Sequence, residues 1–69
     1  MSNEWKELSE GMPIDTPCEI MQVGGKVSIA AYICTERTSG INLLEERECG
    51  EFYRTNTFLM KVERFRELL

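Results

Sequence analysis

No histidine occurs in the 69 residues of this chain. The side chain most often used as a general base near neutral pH is therefore missing, and with it every Ser-His or Cys-His nucleophile pair. Lysine or carboxylate chemistry is all that remains, and nothing in the sequence marks Lys6, Lys26 or Lys61 as buried. Zinc loses its usual nitrogen ligand as well. Cys18, Cys34 and Cys49 are widely spaced and form no Cys-x-x-Cys pair, so a four-ligand site would need a carboxylate. The expectation is a protein without catalytic residues, metal or cofactor.

Long apolar runs are missing too. The longest, Ile29 to Cys34, is far too short to cross a membrane. Met1-Ser2-Asn3-Glu4 has neither the basic start nor the apolar run of a secretory signal, and an odd number of cysteines fits reduced thiols. These features point to a cytoplasmic protein with no membrane partner. A basic stripe is also lacking. Twelve acidic residues interleave with eight basic ones for a net charge of −4, which argues against direct nucleic-acid binding. There is no internal repeat or low-complexity segment. At 8.0 kDa the chain reads as one domain, residues 1–69, with a thin core. A thin core favours presenting a surface over enclosing a substrate.

What is present is a β-hairpin. Pro17 to Val23 and Lys26 to Cys34 flank Gly24-Gly25, a pair that accepts the positive φ of a two-residue turn. Closing there pairs Gln22 with Val27, Ile20 with Ile29 and Cys18 with Ala31. One face then carries Cys18, Ile20, Val27, Ile29, Ala31 and Ile33, and the other carries Met21 and Tyr32 among mixed neighbours. Cys18 and Cys34 read as small core hydrophobes. Before the hairpin, Trp5 and Leu8 are apolar anchors, with Ser9-Glu10-Gly11 as a turn and Pro13 and Pro17 as breakers. Trp5 suits either a core position or an exposed anchor for a partner.

After the hairpin, 35–42 is a polar connection, and 41–50 fits an edge strand or a short helical turn ended by Gly50. Two patterns compete from Glu51 onward. Phe52, Tyr53, Thr55 and Thr57 favour a strand. Phe58, Val62, Phe65 and Leu69 fall four, three and four apart, a helical stripe among good helix formers. The combined expectation is α+β: a small antiparallel sheet centred on the 17–34 hairpin, a strand over 51–55, and a C-terminal amphipathic helix over 58–68. An all-β, SH3-like barrel is the alternative.

Glu45, Glu46, Glu48 and Glu51 form the densest acidic cluster, with Phe52, Tyr53 and Met21 as aromatic and apolar neighbours. An acidic patch beside aromatics suits docking on a basic, partly apolar groove. Trp5, Met21, Tyr32, Glu45, Glu46, Glu48, Glu51, Phe52 and Tyr53 are thus the candidate partner-binding residues. Gly24-Gly25 lacks the spacing and following Lys-Ser/Thr of a phosphate loop and is read as a turn.

Trp5-x-x-Leu8, the turn from Gly11 to Pro17, Ile20 to Val23, the glycine turn and Val27-x-Ile29-Ala30-x-Tyr32 resemble short phage and prophage domains of unknown function. The resemblance covers the first half of the chain and implies a phage context. With it, the expected function is a non-enzymatic protein-binding module. In its sharper form this is a host-takeover protein that inhibits a host complex, RNA polymerase first and a CRISPR or restriction complex second. The alternatives are an acidic DNA mimic and a structural homo-oligomer that pairs Phe58, Val62, Phe65 and Leu69 across a helix interface.

Overall fold

The computed structural model describes residues 4–68. They form six antiparallel strands: β1 (Lys6–Glu7), β2 (Cys18–Gln22), β3 (Val27–Cys34), β4 (Ser39–Glu46), β5 (Phe52–Leu59) and β6 (Val62–Glu67). The order across the sheet is β1-β6-β2-β3-β4-β5. A single 3-10 turn, Leu8–Glu10, follows β1, fastened by the Glu7 N–H donating to Glu10 Oε2 at 2.8 Å.

The expected α+β class is therefore corrected to all-β. Residues 58–68 finish one strand and form the next, with a break at Met60-Lys61 where Lys61 takes a left-handed φ of 57°. Long-range pairing overrides the local helical stripe. In β6, Phe65 lies opposite Ile20, and both are buried. Arg66 lies opposite Glu19, and its Nε donates to Glu19 Oε1 at 2.9 Å, while Arg64 reaches Glu7 at 3.5 Å. A helix would satisfy none of these partners. The proposed helix interface falls with it: Phe65 is in the core, Val62 is half-buried, Phe58 is 40% exposed, and Leu69 lies outside the described residues. Residues 41–46 belong to β4, an interior strand between β3 and β5 rather than an edge strand or helical turn.

The 17–34 hairpin forms, but one residue out of the expected register. Cys18 faces Ala30, Ile20 faces Ser28 and Met21 faces Val27. Three residues, Val23-Gly24-Gly25, occupy the turn instead of two. The Gly25 N–H donates to Gln22 O, the Gln22 N–H donates to Lys26 O, each at 2.9 Å, and both glycines have positive φ. A slip of one residue exchanges the faces of the whole partner strand. Ala30 thus joins Cys18, Ile20 and Phe65 in the core, while Val27, Ile29, Ala31 and Ile33 move to the opposite face with Met21. Ala31 and Ile33 are buried there as well, so β3 is apolar on both sides.

Chain connectivity curls the sheet. In a flat sheet β5 and β6 would lie four strand spacings apart, about 19 Å. Met60 and Lys61 alone join Leu59 to Val62, a reach of about 11 Å at most. The sheet therefore wraps on itself, and Leu59 and Val62 pack on the same core cluster. Leu8 and Met12, placed by the 3-10 turn, pack there too.

Candidate functional site

The β4–β5 hairpin gathers the acidic cluster anticipated from the sequence. Glu45 lies opposite Tyr53 and Glu46 opposite Phe52. The turn between them is closed by the Arg47 N–H on Glu51 O at 2.9 Å and the Gly50 N–H on Arg47 O at 2.8 Å. The Arg47 guanidinium stacks on the Tyr53 ring at 3.8 Å from its centroid. Tyr53 Oη donates to Glu51 Oε2 at 2.8 Å, and this hydrogen bond to a carboxylate pushes the phenol above its ordinary pKa. Residues 45–51 hold four glutamates and one arginine, so −3 of the chain's −4 sits on this one tip. At the other side of the sheet, Arg64 and Arg66 are matched by Glu7 and Glu19. The molecule is electrostatically lopsided.

The remaining candidates are not brought to that tip. Met21 lies on β2 between Val27 and Arg64. Trp5 is half-buried, with the Arg66 guanidinium 4.2 Å from its ring centroid. Tyr32 lines a different feature, an open groove of about 550 Å3 at one mouth of the curled sheet. Its walls are Leu8, Met12, Tyr32, Ile41, Leu59 and Val62. Gly11 and Gly40 complete the lining with Lys61, its one charged member among the described residues. Four elements and a turn contribute, from residue 8 to residue 62, and no local sequence pattern announces such a groove.

A second feature also escaped the sequence reading. Asn42, taken as the end of a polar connection, is buried on β4. Its Nδ2 donates to Thr55 O at 2.9 Å and to Thr57 O at 3.2 Å. Thr55 Oγ1 donates to Leu43 O at 2.7 Å and accepts from the Thr57 N–H at 3.1 Å. The register explains the arrangement: Asn42 faces Phe58 and Leu44 faces Arg54, so three residues of β5 oppose Leu43 alone. The asparagine amide stands in for the ladder hydrogen bonds that this bulge removes. Beyond it, the outer edge of β5 has no strand partner among the described residues.

The thiols divide differently from expectation. Cys18 is buried, and burial, with Glu67 adding to it, pushes its pKa to about 11. Cys34 is exposed rather than a core residue, because β3 ends there, and Cys49 is exposed in the β4–β5 turn. Among the described residues no three His, Cys, Asp or Glu side chains converge as a metal site, and no helix is long and apolar enough to cross a membrane. No protein-family model, curated protein or solved structure matches the chain.

Proposed function

We propose that this chain is a non-catalytic structural module that assembles with itself by pairing β5 with β5 of a second copy. The observation that supports this reading is the edge of β5, eight residues long and without a strand partner among the described residues. Such an edge presents a row of backbone donors and acceptors, and sheets commonly guard it with lysine, proline, inward-facing charge or a bulge. Phe52–Leu59 contains no lysine and no proline, Arg54 is its single charge, and the bulge at 55–57 interrupts only its middle. The other edge, β1, is two residues long and offers little to pair with. Antiparallel pairing about a two-fold axis near Thr55 and Asn56 sets Phe52 and Tyr53 of one copy opposite Leu59 and Phe58 of the other. The regular residues on either side of the bulge at 55–57 then carry the backbone hydrogen bonds.

Asn56 is exposed at the centre of this edge, so Asn56→Lys sets two ammonium groups near the symmetry axis. Sedimentation velocity over a range of concentrations tests the reading. The expected result is a concentration-dependent dimer or larger species for the parent chain, and a monomer with unchanged far-UV spectrum for the variant. A parent chain that stays monomeric at every concentration overturns it.

The charge of the β4–β5 tip favours a second reading, docking on a basic surface of another protein. Host takeover, with RNA polymerase or a CRISPR or restriction complex as target, and DNA mimicry are forms of this reading. Its test is capture of one defined complex from bacterial lysate at low and moderate salt, compared with the Glu45→Lys, Glu46→Lys, Glu48→Lys triple variant. Equal capture by both proteins refutes a role for the tip.

A further inference from the structure

Lys61 combines a left-handed backbone with a place in the lining of the mouth groove. Seven described residues have positive φ; five are glycines, and Asp15, a residue type that tolerates the left-handed region, is the sixth. Lys61, at φ 57°, is the seventh. A link of two residues that needs one left-handed position is ordinarily served by glycine. A lysine held there instead points to a use for its side chain. Lys61 is exposed and lies in the lining of the mouth groove, whose other described lining residues are apolar, glycine or Tyr32.

We propose that the groove binds an aliphatic carboxylate, with the tail among Leu8, Met12, Ile41, Leu59 and Val62 and the carboxylate on the Lys61 ammonium. At about 550 Å3 the groove falls in the size range of small-ligand sites, which bury an apolar body and orient it with few polar groups. The charge decides the class of head group. Among the described residues no acidic side chain lines the groove, so a cationic or neutral amphiphile gains nothing from Lys61 that an anion does not gain more strongly. The flexible methionine and leucine walls accommodate tails of somewhat different length. The groove meets β5 at Leu59, the last residue of that strand, and the Asn56→Lys variant serves as a host in which self-pairing does not interfere.

The test uses decanoate, decylammonium and acetate below micelle-forming concentrations, followed by methyl chemical shifts of Met12, Ile41, Leu59 and Val62. The expected result is saturable binding of decanoate at the groove methyls, at least tenfold tighter than decylammonium, with no response to acetate. Lys61→Glu reverses that preference, and Lys61→Gly, which keeps the backbone geometry, abolishes it. Equal affinity for the two amphiphiles, or shifts scattered away from the groove, overturns the assignment. Unchanged decanoate affinity in Lys61→Gly overturns the role of the ammonium.

Discussion

Replacing Asn42 by alanine tests whether the β4–β5 bulge is held by that one side chain. The amide makes two hydrogen bonds, to Thr55 O and Thr57 O, inside a residue that is 1% exposed. Each such bond contributes about 1 kcal/mol net, and the carbonyls left behind lose a buried partner. Against this, Asn42 Oδ1 has no hydrogen-bond partner among the described residues, and removing it relieves a desolvation cost of about 1 kcal/mol. The balance is a loss of about 2 kcal/mol. A domain of this size holds about 3–5 kcal/mol in all, so the variant should lose roughly half of its stability. Urea denaturation measures this directly, and the melting temperature should fall by roughly 8–16 °C. Thr55→Val removes both the donor to Leu43 O and the acceptor of the Thr57 N–H at nearly constant volume and should cost about 1–2 kcal/mol. Because the two side chains serve one bulge, the double variant should lose less than the sum of the single losses. An Asn42→Ala loss below about 0.5 kcal/mol, the level of an ordinary surface change, refutes the assignment.

Two further outcomes follow from the same geometry. Cys34 and Cys49 should react with iodoacetamide in the native protein at pH 8, while Cys18 reacts only on unfolding. The unfolded chain ionises Cys18 near 9.0 and the folded one near about 11, so stability declines as pH rises between those values. Mass spectrometry after timed labelling counts the modified thiols, and three rapid modifications contradict the burial of Cys18. Lys61→Gly should raise stability by about 0.5–1 kcal/mol, since relief of a left-handed side chain of about 1–2 kcal/mol exceeds the added chain entropy of about 0.5–1 kcal/mol. A loss of stability on thermal melting contradicts strain at that position.

Much of the fold was legible where the pattern is local. The 17–34 hairpin announced itself through Gly24-Gly25 and its apolar flanks, and Cys18 and Ile20 were placed correctly in the core. The register was not legible, because the choice between two and three turn residues is made by hydrogen bonds of Gln22 and Lys26 rather than by composition. The C-terminal strands were misread because helix propensity is local, whereas the reward for β6 comes from Ile20, Glu19 and Glu7 many residues earlier. The same distinction separates the surfaces. Glu45 to Tyr53 are neighbours in sequence and remained neighbours on one hairpin. The groove and the Asn42 bulge join residues that meet only after the sheet has curled.

Backbone hydrogen exchange of β5, read residue by residue at low and at high protein concentration, tests the self-pairing account most directly. Self-pairing predicts that β5 amides pointing away from β4 exchange rapidly in dilute solution and become protected on concentration, with the change lost in Asn56→Lys. Protection confined at all concentrations to the amides paired with β4 would contradict it.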